Sequence, residues 1–348
     1  MNEPAVAAAK AAGLADLHPA YFSMAMATGI VSIASQLLGY RAIAVALFGL
    51  NVAIYVVLWG LTFARIGWYR DRVAADLHHH GRSVGFFTIV AATCVLGTQC
   101  LIVGGMWNAA AVLWVIGIVL WALLTYTIFT VLTVKAEKPS LAEGMNGGWL
   151  VSVVASQSVC VLGAQLAAGF GAREPQVLFF CLAMWLGGGM LYIWIISLIF
   201  YRYTFFTLSP ADLAPPYWVN MGAVAISALA GSLLVLDAPR SPLLQSLEPF
   251  LRGLTLLFWA TATWWIPMLV ILGVWRHIYR RFPLRYDPLY WGAVFPLGMY
   301  TASTFRLAQA IDAPYLFVIP RLFIVIAWAA WLLTAVGYVS TRGFFARR

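Results

Sequence analysis

The sequence predicts an all-α integral membrane protein whose ten transmembrane helices form five antiparallel hairpins. Of its 348 residues, 63% are hydrophobic and only 9% are charged. The mean hydropathy of +0.88 lies far above the range of soluble domains. Apolar stretches of about 20 residues, the length that crosses a bilayer, recur along the whole chain. Short connections tie consecutive stretches into antiparallel pairs.

The predicted spans leave no room for a soluble catalytic domain. They cover residues 20–38, 43–63, 84–104, 109–133, 147–169, 176–200, 217–236, 252–275, 288–308 and 315–338. We therefore expect a cytoplasmic N-terminal segment at 1–19, one membrane domain at 20–338 and a basic cytoplasmic tail at 339–348. The N-terminal segment lacks a charged region followed by an apolar core, so the first span is expected to be an anchor and not a removable signal peptide.

The net charge of +9 is distributed as a topology signal. With ten spans, both termini share a side, and that side holds fifteen of the 21 basic residues: Lys10, Arg65, Arg70, Arg72, Arg82, Lys135, Lys138, Arg202, Arg276, Arg280, Arg281, Arg285, Arg342, Arg347 and Arg348. The opposite loops hold only Arg41, Arg173, Arg240 and Arg252. Basic loops remain in the cytoplasm, so both termini are predicted there and a nucleic-acid partner is unnecessary.

Polar side chains concentrate in the odd-numbered spans, whereas even spans read like AVLWVIGIVLWALL at 111–124. Polar groups in hydrocarbon are costly unless they meet each other, backbone or water. The odd spans are therefore predicted to be internal and to line a common pathway. The candidate lining residues are Thr28, Ser32, Thr93, Ser152, Ser156, Asn220, Ser227, Thr301 and Thr304. For each residue taken alone, the alternative is close helix packing through small side chains.

Charged residues avoid the membrane centre. No Asp, Glu or His lies near the middle of any span, whereas cation paths and proton relays generally need such groups. An uncharged, hydroxyl-lined path suits weakly held anions. Arg306 and Arg321, near the outer ends of the last two spans, are candidates for a vestibule that concentrates anions. Alternatively, they are interfacial arginines that pair with Asp312 between them.

No motif for catalysis or for a bound cofactor occurs. The run His78, His79 and His80 would point about 100° apart on a helix, and only His18 and His277 remain elsewhere. The chain has no P-loop, no G-x-S-x-G elbow and no Cys-x-x-Cys pair. We predict no enzyme activity, metal site or cofactor. The alternative is a membrane enzyme or redox subunit that uses the histidines.

A proline interrupts the ninth predicted span. The stretch WGAVFPLGMYTAST at 291–304 sets Phe295 beside Pro296 in an apolar run. Proline removes a backbone donor and bends a helix, and the freed carbonyl must face protein or water. From these residues alone, Phe295 is a packed aromatic beside a kink.

Three segments resemble the tellurite-resistance/dicarboxylate transporter family, which includes fungal malate permeases, fungal sulfite efflux pumps and plant slow anion channels. They are HPAYFSMAMATGIVSIASQLLG from His18, PPYWVNMGAVAIS from Pro215 and YWGAVFPLGMYTAST from Tyr290. The resemblance implies quasi-fivefold symmetry, with the odd helices around a central pore, and a homotrimer in which each protomer has its own pore. By motif position, it implies that Phe295 is a gate at mid-membrane, filling the space that the bend at Pro296 opens.

The chain departs from this family in one respect. Its third and fifth spans contain no proline, although the family's odd helices are typically kinked near their middles. Gly97 and the pair Gly147 and Gly148 are the features that could relax these helices.

The predicted function is gated passive transport of small anions across the cytoplasmic membrane, through a pore within each protomer. The alternative is a proton-coupled transporter of C4-dicarboxylates or sulfite. Coupling needs a titrating group, for which the loops offer Asp212 or Asp287. The expected partners are small anions, the lipid bilayer and further copies of the chain.

Overall fold

The computed structural model describes residues 13–284 and 286–345, the side chains of 341–345 excepted, and every regular element in this range is helical. The predicted segments 1–19 and 339–348 therefore lie partly outside the described residues. Ten long helices occur: α1 Ser23–Leu37, α2 Arg41–Trp68, α3 Phe87–Ile102, α4 Trp107–Val134, α5 Val151–Leu166, α6 Glu174–Phe205, α7 Val219–Asp237, α8 Glu248–Val274, α9 Trp291–Ala310 and α10 Val318–Phe345. The all-α prediction is confirmed.

Eight helical segments of the described chain are long and apolar enough to cross a membrane. One of them, Gly147–Phe205, spans 59 residues and contains both α5 and α6, which meet at a kink where Gly171 has φ 55°. Helix α9 is not among the eight, since Arg306, Gln309 and its hydroxyl residues make it less apolar. The chain is a multi-pass membrane protein, and the count of ten spans stays a prediction.

Burial confirms that the odd helices are internal. The spans that contain α1, α3 and α7 are 78%, 89% and 94% buried, whereas those of α2, α4, α8 and α10 are 28%, 22%, 22% and 17% buried. Helix α5 is buried at every residue except Gln165, and α9 is buried over most of its length. Internal helices therefore carry the polar residues, while external helices present an apolar surface.

The inner helices contact one another in a closed cycle. Helix α1 contacts α3, α3 contacts α5, α5 contacts α7, α7 contacts α9, and α9 contacts α1. Each outer helix packs against the inner helix before it and the one after it, so that α4 contacts α3 and α5, and α10 contacts α9 and α1. A closed cycle of five helices encloses one axis. We call the end where these five helices begin the amino end, and the opposite end the carboxyl end.

Two buried arginines fix the loops at the amino end. Arg65, near the end of α2, contacts the Asp76 carboxylate at 2.8 Å, and Arg82 binds the same carboxylate. Burial raises the pKa of Asp76, but the hydrogen bonds from Arg82 and Arg65 outweigh it and hold the pKa below its usual value. Arg202, near the end of α6, donates to the carbonyl of Ala142 at 2.8 Å. The loop after α2 and the loop before α5 are thus each bound to the end of an outer helix.

Candidate functional site

A cavity of about 430 Å³ opens at the amino end of the axis. Its lining includes the start of every inner helix, at Ser23, Thr88, Val151, Val219 and Gly292. The amino terminus of a helix carries a partial positive charge. Five such ends converge here, and the first N–H of each α-helix is paired within the turn that precedes it. The helix dipoles therefore favour negative charge in the cavity, whereas the carboxylates of Glu143 and Asp212 in its lining oppose it. Each inner helix is preceded by a short 3₁₀ turn: Pro19–Phe22, Val84–Phe86, Gly147–Leu150, Pro215–Trp218 and Pro288–Tyr290.

Charged side chains of both signs line this cavity. Arg202, only 6% exposed, lies 3.5 Å from Asp212 and also donates to the Tyr217 hydroxyl. Burial raises the pKa of Asp212, but its hydrogen bonds with Ser209 and the positive charge of Arg202 bring the pKa below its usual value. Asp212 is therefore an ionised carboxylate at neutral pH, held against an arginine at the mouth of the axis.

His18 lines the same cavity and caps the turn that precedes α1. Its Nδ1 accepts a hydrogen bond from the backbone N–H of Ala20 at 3.0 Å. The pKa of His18 is lowered from 6.5 to about 4, chiefly by burial and also by the positive charge of Arg82. The imidazole is therefore neutral at pH 7 and acts as a hydrogen-bond acceptor.

This pKa predicts an acid-sensitive contribution to stability. The unfolded chain binds the His18 proton more readily than the folded chain, so stability is fully present above about pH 6.5 and falls as the pH drops toward 4. His18→Asn keeps a capping acceptor but does not titrate. Between pH 7 and 4.5, the Tm of the detergent-solubilised wild type should fall by several degrees more than that of His18→Asn. Parallel Tm curves would refute this role.

A second cavity, of about 20 Å³, lies along the axis toward the carboxyl end and is lined by all five inner helices. Most of its lining is apolar, with Thr98, Ser158, Gln165 and Arg306 as polar members. The Oε1 atom of Gln165 is buried and has no hydrogen-bond partner among the described residues. The two cavities thus occupy opposite ends of one inner-helix axis.

Residues that line the two cavities repeat at intervals of seven. Seven residues turn a helix by about two full turns, so such residues share one face. The first member of each series lines the amino-end cavity and the later members line the carboxyl-end cavity. The series are Ser23, Ile30 and Leu37; Thr88, Val95 and Ile102; Val151, Ser158 and Gln165; Val219 and Ile226; and Gly292, Met299 and Arg306.

In the helical turn between the two cavities, the other four inner helices carry smaller side chains than α9 does. Three residues after the first member of each series stand Met26, Ala91, Val154, Gly222 and Phe295, and four residues after it stand Ala27, Ala92, Ala155, Ala223 and Pro296. Phe295 is the largest side chain of this layer and is only 1% exposed. Its ring is therefore the bulkiest buried group in this layer, where three of the other four helices contribute alanine, valine or glycine and α1 contributes Met26.

The neighbours of α9 orient Phe295 toward the axis. Pro296 packs on α7, since a Cβ at Gly222 would lie 2.7 Å from its Cγ. Gly298 packs on α1, since a Cβ there would lie 2.9 Å from Ile30. At about 100° per residue, Phe295 projects between these two contacts. It points between α7 and α1, which is the direction of the axis.

None of the nine sequence-predicted lining residues lines either cavity. Three of their hydroxyls accept hydrogen bonds of 2.8–3.1 Å from tryptophans of outer helices: Trp331 to Thr28, Trp121 to Ser156 and Trp259 to Thr304. An indole N–H in an apolar environment needs an acceptor. These three hydroxyls therefore attach outer helices to inner ones, and they lie on the face turned away from the axis.

The other six predicted lining residues also have hydrogen-bond partners within the protein. Two contact outer-helix tyrosines, where Thr93 meets the Tyr55 hydroxyl at 2.8 Å and the Asn220 amide donates to the Tyr203 hydroxyl at 2.9 Å. The remaining four donate to backbone carbonyls: Ser32 to Ala44 of α2, Ser152 to Trp149, Ser227 to Ala223 and Thr301 to Leu297. These groups thus take part in helix packing, whereas Ser23, Thr88, Thr98 and Ser158 line the two cavities, and a pore-lining role for the nine stays a prediction.

The two predicted vestibule arginines differ in position. Arg306 lines the carboxyl-end cavity and donates to the Gln309 side chain at 2.9 Å. Arg321 is exposed near the start of α10 and is not part of that lining. Among the described residues, neither forms a salt bridge with Asp312. Of these two arginines, only Arg306 is therefore placed to act on an ion at the axis.

The histidine run has local structural partners. His79 accepts a hydrogen bond from the N–H of Gly81 and caps a short helical turn, and His78 contacts the carbonyl of Ala74 at 2.8 Å. Both histidines are exposed on the amino-end loop. The run is part of the loop structure beside the cavity mouth.

Similarity to known proteins agrees with this architecture. A family model described as voltage-dependent anion channel, SLAC1, matches residues 16–339. A sulfite efflux pump of Trichophyton rubrum is 24% identical over 92% of this chain and 89% of its own length. An uncharacterized transporter of Methanocaldococcus jannaschii is 26% identical over 82% of each chain, and an uncharacterized membrane protein of Mycobacterium tuberculosis is 42% identical over 42% of this chain and 74% of its own. The family resemblance seen in the sequence is confirmed, and the chain belongs to the SLAC1 family of membrane transporters.

Proposed function

We propose that this chain provides a gated, passive pathway for small anions along the axis of the five inner helices. The observation that carries the proposal is the position of Phe295. It lies between Gly292, which lines the amino-end cavity, and Met299, which lines the carboxyl-end cavity. Its buried ring occupies the turn that separates them, so rotation of one side chain would join the cavities.

The pathway is proposed to belong to a ten-helix membrane domain of five hairpins with quasi-fivefold symmetry. The closed cycle of inner helices and the seven-residue series at equivalent depths support this symmetry. The excess of basic residues at the amino end supports a cytoplasmic location for that end and for both termini. Assembly as a homotrimer, with one pore in each protomer, rests on the family resemblance.

The electrostatics of the axis favour anions. Five helix amino termini face one cavity, and Arg306 lines the other. Helices α1, α3, α5 and α9 contain no Asp, Glu or His, and α7 contains only Asp237 at its last position. An anion would therefore meet donors and dipoles but no fixed negative charge in the narrow part. Sulfite is the first substrate to test, because relatives that align with most of the chain are named sulfite efflux pumps.

Coupled transport is the second candidate, favoured by the position of Asp212 at the mouth of the axis. A carboxylate that exchanges protons needs a pKa near the working pH. Arg202 and Ser209 instead help to hold the Asp212 pKa below its usual value, which keeps the group ionised. We therefore place passive conduction first.

The two modes predict different fluxes in proteoliposomes. With wild-type protein, sulfite, nitrate or chloride should move only down its own electrochemical gradient, and an imposed pH gradient should cause no accumulation. Asp212→Asn should retain passive flux. Uphill sulfite or malate accumulation that depends on the pH gradient and disappears in Asp212→Asn would overturn the passive mechanism. Absence of flux for all four anions in both wild type and Phe295→Ala would overturn the transport assignment for these substrates.

A further inference from the structure

An apolar groove of about 460 Å³ lies on the side of α9 that faces away from the axis. Its walls come from two helices: Ala293, Val294 and Leu297 of α9, and Ala330, Leu333 and Thr334 of α10. At about 100° per residue, the three α9 residues lie roughly opposite the face that carries Phe295. The groove therefore opens toward the surrounding lipid, near the amino end.

Aromatic residues with polar tips form the amino-end mouth of this groove. Tyr286, Tyr290 and Trp218 contribute to its lining. Tyrosine and tryptophan concentrate at the level of lipid headgroups, because their rings are apolar and their hydroxyl or N–H groups reach water. The mouth of the groove thus lies at headgroup depth, with its apolar walls running into the bilayer.

A basic corner adjoins the mouth. Arg276 lies in the π-helical turn Trp275–Tyr279, its guanidinium stacks on Phe282 at 4.4 Å, and it is close enough to Tyr290 to act on it electrostatically. Its Nε is buried and has no hydrogen-bond partner among the described residues. Arg280 stacks on Trp275 at 5.4 Å. The guanidinium group of Arg276 therefore stands near the tyrosine mouth of the apolar groove, and Arg280 adds a second positive charge just after the same π-helical turn.

We propose that this groove binds an anionic phospholipid, with an acyl chain between α9 and α10 and the phosphate near Arg276. Guanidinium groups bind phosphate through charge-assisted hydrogen bonds, which the terminal nitrogens of Arg276 can donate. Charge complementarity selects an anionic headgroup over a zwitterionic one. The groove selects a lipid over free phosphate, because inorganic phosphate has no apolar group that would occupy the space between the apolar walls.

Native mass spectrometry of the purified full chain can measure this preference. Phosphatidylglycerol and phosphatidylcholine with identical acyl chains are titrated separately, and the bound fractions are compared. An arginine at the membrane surface favours anionic lipid by about fivefold, so Arg276 should favour phosphatidylglycerol by about that factor. Arg276→Gln should lower the preference about fivefold, whereas Arg72→Gln, an exposed arginine of the same end, should leave it unchanged.

A groove-filling variant separates this site from general lipid contact. Ala330→Phe should abolish tight binding of both lipids, whereas Ala329→Phe, on the exposed neighbouring position of α10, should retain it. Equal binding of the two lipids by wild type, or equal losses in Arg276→Gln and Arg72→Gln, would overturn the proposal. So would loss of oligomer mass in Ala330→Phe together with no lipid preference in wild type, which would make the groove a contact between copies of this chain.

Discussion

Phe295→Ala should increase anion flux through the protein. Truncation removes most of a ring from the layer between the two cavities and adds no charge. The other four helices contribute alanines at the equivalent of Pro296, so no neighbouring large side chain on those helices refills the space from that position. A barrier lowered by about 1.4 kcal/mol raises a rate about tenfold, and complete removal of the ring should reach at least that. The measurement is liposome flux or current per folded protein.

Two further variants make the test specific. Phe295→Leu should give a smaller increase, since leucine refills part of the space. Phe305→Ala is the matched control, because its ring lies on the same helix but packs on Phe317 at 5.2 Å and is not part of either cavity lining. Flux in Phe305→Ala should remain at the wild-type level.

A purely structural Phe295 predicts a different outcome. Cutting a packed core phenylalanine to alanine costs about 3–5 kcal/mol in soluble cores, which would lower the folded yield without any gain in flux. Unchanged or reduced flux in well-folded Phe295→Ala would therefore show that the ring is packing and that any gate lies elsewhere along the axis.

The sequence identified which helices are internal but not which of their faces meets the axis. Polar content separates α1, α3, α5, α7 and α9 from their neighbours, because a hydroxyl in a lipid-facing helix is costly. The same polarity predicts a pore lining, although Thr28 and Thr304 accept hydrogen bonds from tryptophans of outer helices. An odd span is surrounded by protein on every side, so polarity alone gives no direction.

The residues that face the axis repeat every seven positions in the sequence, but the sequence alone does not show which face of each helix this is. Val151, Ser158 and Gln165 recur every seven residues, as do Gly292, Met299 and Arg306. Seven-residue spacing is common to all faces of a helix, so the lining face emerges only when a neighbour fixes the rotation of each helix. Pro296 against Gly222 fixes it for α9. Arg202 lines the amino-end cavity from an outer helix, a position that its place among the basic loop residues of the sequence does not indicate.

The structure explains Gly147 by close packing of two backbone segments and not by flexibility of α5. In the sequence, the pair Gly147 and Gly148 predicts a place where α5 can relax in the absence of proline. In the structure, Gly147 begins the 3₁₀ turn before α5 and lies against the start of the turn before α7. A Cβ there would stand 2.4 Å from the carbonyl oxygen of Pro216 and 2.9 Å from the Cα of Tyr217. The glycine is required for close approach of two inner-helix starts.

Gly147→Ala should therefore destabilise the protein at the rim of the amino-end cavity. The atoms that the new methyl meets are backbone atoms, which cannot rotate away, so α5 and α7 must separate where Tyr217 binds Arg202. Overpacking of this kind costs about 1–3 kcal/mol, and the Tm and folded yield in detergent should both fall. Gly60→Ala is the matched control, since that α2 glycine has no atom within 4 Å of an added Cβ and alanine favours a helix by about 1 kcal/mol. Its Tm should equal or exceed that of wild type. A wild-type Tm in Gly147→Ala would mean that the two helix starts separate freely, and the five amino termini would then not be held in one rigid rim.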